Sequence, residues 1–239
     1  MNVPPPVEDY QDAFARIEAA VAAGETDLRA LGFWRLVSKV KRDPALSSHW
    51  ADVAGRIDRA AFESRVRLRF PVWFGNAVLV GATAAGAVAV VLAVQTTSEV
   101  VAGLALVFAA ADWSASVHGL AHWLAGRAAK IRFTSYFFDR LFPPVPGLKT
   151  DYATYLRASP EARAWMHASG AIASKIAPLV ALAFWPATVA PVWAAWAIAA
   201  YALVLIVTDV VYSVRYSDWK KVRRELRVAR AQASGGAGG

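Results

Sequence analysis

The stretch VWFGNAVLVGATAAGAVAVVLAVQ, from Val72 to Gln95, decides the architecture. It contains no Asp, Glu, Lys or Arg. Wound as a helix at about 1.5 Å per residue, it extends roughly 36 Å, enough to cross a hydrocarbon core of about 30 Å. The uncharged run is longer still, from Phe70 to Ser98, and a second one covers Ile176 to Thr208. Soluble domains carry roughly 25% charged residues. This 239-residue chain carries 18%, with 57% hydrophobic residues, and keeps its charges out of those two runs. The reading is an all-α integral membrane protein.

Four transmembrane helices fit the pattern, at about Val72–Gln95, Val100–Gly126, Arg163–Trp185 and Pro191–Tyr212. Together they make a membrane domain over residues 70–216. Gly81, Gly86 and many Ala provide small surfaces on which helices can pack closely. The loop after the first span holds only Glu99, and Pro186–Pro191 holds no charge. The basic clusters all fall on the other side: Arg65, Arg67 and Arg69; Arg127, Lys130, Arg132 and Arg140; and the run from Arg215 to Arg230. That asymmetry predicts both termini in the cytoplasm, with a prokaryotic plasma membrane as the simplest location. Trp73, Trp123, Trp165 and Trp219 fall at the cytoplasmic boundary, and Trp185 and Trp193 at the outer one.

Residues 1–69 read as a cytosolic helical region, nearly balanced in charge. Pro4, Pro5 and Pro6 block an early start, and the first helix ends before Gly24. Thr26-Asp27 caps a second helix, which Asp43-Pro44 stops. A third helix runs from about Ser47 to Arg69 and leads straight into the membrane. No secretory leader is expected, because the first apolar run starts far too late. Between the second and third spans, the alternating, aromatic-rich Ile131–Phe138 predicts a small β-element at the membrane surface. Pro143-Pro144-Val-Pro146-Gly147 predicts a rigid turn, and Ser159-Pro160-Glu161 a new helix start. Residues 217–239 form a basic interfacial helix around Trp219–Arg230, then a flexible tail from Ser234. The net charge of +8 is thus spent on orientation and on contact with the lipid bilayer, not on nucleic acid. The absence of Cys excludes disulfides, thiolate metal sites and Cys nucleophiles.

Polar residues inside spans are costly, so they mark candidate sites. They are Asp112, His118, His122, His167, Lys175 and Asp209. His118 and His122 are four apart, hence on one helical face about a turn apart. At about 1.5 Å per residue, both His118 and Asp209 lie roughly 27 Å along spans entered from outside. His167 lies about one turn into a span entered from the cytoplasm. Zinc takes three or four such N and O ligands. His118, His122 and Asp209 are therefore predicted as zinc ligands, with His167 a fourth ligand or a group that supports them. A polar packing seam of hydrogen-bonded histidines stays open beside zinc, and so does haem held by His118 and His167. Asp112 and Lys175 meet near mid-bilayer, predicting an intramembrane ion pair, with a polar path as the alternative.

These motifs resemble the site-2 protease family of intramembrane zinc metalloproteases (peptidase family M50), over roughly Val100–Val214. His118-Gly-Leu-Ala-His122-Trp-Leu-Ala-Gly-Arg127 resembles the family's HExxH helix. Ile131–Phe138 sits where the family has its membrane-surface β-element. Ala168-Ser-Gly170-Ala-Ile-Ala-Ser174 is similar to the AGPxxN helix, with Ala171 at its Pro and Ser174 at its Asn. Thr208-Asp209-Val210 stands in place of LDG. The resemblance implies a four-helix site-2-protease-like core, zinc as cofactor and single-span membrane proteins as partners. The family's catalytic Glu, which activates the zinc-bound water, falls at Gly119. Asp112 is about 10 Å up the helix from that position, too far to substitute directly; Asp151 is a freer candidate. The implied protein is a proteolytically inactive or impaired homologue. The alternatives are an active protease with a non-standard base, or a non-enzymatic helical scaffold. A rhomboid-like serine site at His167-Ala-Ser169-Gly170 is excluded, since the first Gly of GxSG is missing and no His follows Ser169.

Overall fold

The computed structural model describes residues 7–141, 144–210 and 217–236. The chain forms two compact units. One comprises residues 1–72, 130–161 and 226–239; the other comprises 73–129 and 162–225.

The first unit is built on short helices: α1 (Val7–Ala22), α2 (Phe33–Val40), α3 (Pro44–His49) and α4 (Ala51–Arg65). Their apolar faces bury Phe14, Phe33, Val37, Trp50 and Ile57, with Phe14 stacked on Trp50 at 5.0 Å. Asp43-Pro44 stops α2 as expected, and it also starts α3. The Asp43 carboxylate accepts from the amides of Ala45 and Leu46, and Pro44 fills the first position, where no N–H is needed. Two expectations are corrected. Asp27 does not open a helix; it caps a turn through the amides of Arg29 and Ala30, and α2 begins only after Gly32, in the left-handed region at φ 75. The predicted third helix is two helices, broken at Trp50, whose backbone leaves helical geometry while its indole packs on Phe14.

Nor does that helix lead straight on into the first span. It ends at Arg65, and strand β1 (Arg69–Phe70) follows, pairing antiparallel with β2 (Phe133–Leu141). The expected β-element is therefore a three-stranded sheet in the order β1-β2-β3, with β3 at Pro144–Thr150. Of the predicted turn, Pro143 lies outside the described residues, and Pro146 and Gly147 pair with Phe138 and Phe137 inside β3. After the hairpin, Asp151 caps α7 (Tyr152–Arg157) through the Thr154 amide. Asp151 also pairs with Arg59 at 3.0 Å, and Arg157 pairs with Asp52 at 2.5 Å. Lys149 is bonded to the buried Asp58 and lies over the Phe62 ring.

The second unit contains α5 (Val72–Gln95), α6 (Glu99–Ala128), α8 (Pro160–Ala183), α9 (Val192–Val210) and the first part of α10 (Asp218–Gly236). Four helical segments are long and apolar enough to cross a membrane: Val72–Gln95, Glu99–Ala128, Pro160–Ala187 and Val192–Asp209. They match the four expected spans, with the third starting earlier, at Pro160. The last part of the fourth expected span, Val211–Tyr212, lies outside the described residues. Small residues make the helix contacts, among them Ala93, Ala102, Ala109, Ala181 and Ala194. Gly103 lets α6 meet Trp193 of α9, because a Cβ there would lie 2.9 Å from the indole. Outward faces carry Val88, Trp196 and Leu203, each more than half exposed. Hydrocarbon solvates such a surface without cost. The predicted tail is helical as far as Gly236, so the last helix is longer than the expected Trp219–Arg230.

One contact tests the packing of the first unit. A Cβ on Gly55 of α4 would lie 2.8 Å from Ala153 Cβ and 2.9 Å from its backbone nitrogen in α7. Gly55→Leu should therefore part these helices and cost about 1–3 kcal/mol. The check is a lower unfolding midpoint of the full chain in detergent, compared with an exposed-site control.

Candidate metal centre

Spacing on α6 brings the imidazoles of His118 and His122 together, with ring centroids 4.6 Å apart and planes perpendicular. The His122 ring lies against α8, and Gly170 makes this possible, because any Cβ there would collide with the imidazole. His122 Nδ1 is 2.6 Å from the Met166 carbonyl oxygen. A carbonyl only accepts, so Nδ1 carries the proton and donates it. In the neutral ring, Nε2 is then a bare lone pair.

That lone pair faces two groups. His118 Nε2 is 3.1 Å away, and Asp218 Oδ2, from the first turn of α10, is 3.2 Å away. The third side of the triangle, His118 Nε2 to Asp218 Oδ2, is 3.4 Å. Burial opposes a charge on Asp218 most strongly. Hydrogen bonding from the His118 imidazole and the charge of the Lys221 ammonium outweigh it, and hold the carboxyl well below the usual carboxylate range. Lys221 Nζ takes Asp218 Oδ1 at 3.0 Å, leaving Oδ2 for the imidazoles.

The donor set fits a metal. Tetrahedral zinc with bonds of about 2.0–2.1 Å places its ligand atoms about 3.3–3.4 Å apart. The three separations here are 3.1, 3.2 and 3.4 Å. The bond from His122 to Met166 is the kind of outer contact that fixes a ligating imidazole in the right tautomer. Among the described residues, His118, His122 and Asp218 are the group of three able to hold a metal ion.

Other predicted residues fall elsewhere. His167 Nδ1 is 3.9 Å from Asp218 Oδ1, beside the carboxylate and away from the point where the three donors converge. The His122 and His167 ring centroids are 6.3 Å apart. Asp209 is drawn to Lys175, whose ammonium also reaches Ser174 Oγ at 3.4 Å. This corrects two expectations: the carboxylate beside the histidines is Asp218, and the partner of Lys175 is Asp209, not Asp112. The physical reason is that helical rise sets depth and says nothing of which way a side chain faces. Asp112 turns toward Gly86 of α5, where an added Cβ would lie 2.8 Å from its Oδ2. That oxygen has no hydrogen-bond partner among the described residues.

Asp218 escaped the sequence reading because it sits just past the last span, at the head of a basic helix. A usable signal was present in the neighbouring Trp219, a residue type that favours membrane interfaces. No family model, curated protein or solved structure matches this chain.

The carboxylate is delivered by the docking of α10. Val222 packs with Ala164 and Ala168 of α8, and Glu225 meets Arg163 at 2.7 Å with both side chains essentially inaccessible. Breaking a buried pair strands the remaining charge, at a cost of about 3–5 kcal/mol, whereas replacing both partners with apolar residues is often neutral. Arg163→Met alone should lower the unfolding midpoint sharply, and adding Glu225→Leu should recover most of the loss.

Proposed function

We propose that this chain is an integral membrane zinc-binding protein of the site-2-protease-like (M50) type, with His118, His122 and Asp218 as ligands. It is proteolytically inactive or impaired, and it acts by binding single-span membrane proteins. The observation that carries the reading is the convergence of three donor atoms at the edge lengths of a zinc tetrahedron. The His122–Met166 bond and the ionised Asp218 support it. The four apolar helices and the one-sided basic clusters support an orientation with both termini in the cytoplasm.

A bound zinc would polarise a carbonyl and lower the pKa of its water. Peptide cleavage also needs a carboxylate to take and return a proton, and Gly119 has none to offer. The other candidates are engaged or ill placed. Asp218 is turned onto the imidazoles, Asp209 is held by Lys175, and Asp151 is spent on Arg59 and the Thr154 amide. Asp112 lies nearly two helical turns up α6 from Gly119.

Metal analysis of purified protein tests the ligand set. A single zinc per chain is expected, lost in His118→Ala plus His122→Ala and in Asp218→Ala, and kept in Asp209→Asn. Retention in Asp218→Ala with loss in Asp209→Asn would instead restore the in-span carboxylate as ligand. Cleavage of a model single-span substrate tests the missing base. The unaltered protein should be inert, and Gly119→Glu should gain zinc-dependent cleavage. Zinc-dependent cleavage by the unaltered protein would overturn the inactive reading.

A further inference from the structure

Two of the three proposed ligands sit on α6, and the third belongs to another element altogether, α10. Asp218, Val222 and Glu225 stand at i, i+4 and i+7, so they share one face of α10. That face meets the rest of the second unit at three points: Asp218 on His118 and His122, Val222 on Ala164 and Ala168, and Glu225 on Arg163. The other sides of the helix are basic, with Lys220, Arg223, Arg224 and Arg227 exposed.

His122 donates from Nδ1 to the Met166 carbonyl, so its Nε2 faces His118 Nε2 and Asp218 Oδ2. A divalent cation at their convergence would bond all three atoms, with the proton they share released to solvent. It would then bind the docked arrangement better than the undocked one, since undocking α10 removes a ligand.

We propose that zinc at His118, His122 and Asp218 is a latch that holds α10 against α8, so that metal occupancy controls whether the basic helix is docked. The proposal rests on the zinc reading above and adds to it a coupling between two places on the molecule. Linkage makes the coupling reciprocal. Metal tightens docking, and any change that weakens docking must weaken metal binding. Glu225 is the sharpest probe, because it is seven residues from Asp218 and pairs with Arg163, not with the proposed ligands.

The test uses the full chain in detergent micelles. Amide hydrogen exchange across residues 218–225 is compared with zinc present and with a chelator. A ligand at about 100 times its dissociation constant favours the state that binds it by a factor of about 100, less if the undocked state also binds. Exchange should slow at least tenfold with zinc, and this slowing should vanish in Asp218→Asn. Zinc affinity is then measured by competition with a chromophoric chelator. Glu225→Gln should weaken it at least tenfold, and Arg163→Met plus Glu225→Leu should restore it. Where Glu225→Gln does not fold, exchange in the unaltered chain decides alone. Zinc binding with unchanged exchange, or with an affinity indifferent to Glu225→Gln in folded protein, would overturn the latch and leave the metal centre standing. No zinc binding by the unaltered protein would overturn both.

Discussion

Hydrocarbon offers no hydrogen bonds, and much of the second unit follows from that constraint. A polar group on a helix long enough to cross a membrane must find its partner within the protein or bear a penalty of several kcal/mol. The partners are visible. Lys175 has Asp209 and Ser174; the Thr83 hydroxyl meets Ser116; the Trp113 indole donates to the Thr83 carbonyl. Where the helices reach the boundary, Arg163 has Glu225, and the paired histidines have Asp218. These contacts set how the helices are rotated, because apolar faces rich in Ala and Val would pack in several registers.

The first unit obeys different rules. Its helices are short and bury aromatic side chains, with Phe14, Phe33 and Trp50 at the centre. Its ion pairs, such as Arg59–Asp151 and Arg157–Asp52, are partly exposed and contribute little each. The Asp58–Lys149 pair is different, being buried beside the Phe62 ring and tying α4 to the hairpin.

The metal centre joins the two ways of holding a histidine in place. His122 is fixed by backbone, through the Met166 carbonyl and the close approach that Gly170 allows. Its Nε2 is left for chemistry. A donor set able to hold a metal does not by itself supply a base.

The sequence by itself determined the four apolar helices, the helical N-terminal region, the β-element after the second span and the pairing of His118 with His122. Each rests on local physics: helical rise against bilayer thickness, alternation in strands, and a four-residue repeat on one face. Breaks such as Trp50 and the two-residue strand at Arg69–Phe70 were not legible, because distant partners, Phe14 and Phe137, decide them. The same holds for the carboxylates. Depth singled out Asp209, and only the tertiary structure gives Asp209 to Lys175 and Asp218 to the histidines. Depth along a helix is a property of the chain's own repeat, whereas the direction a side chain faces is set by whatever packs against it.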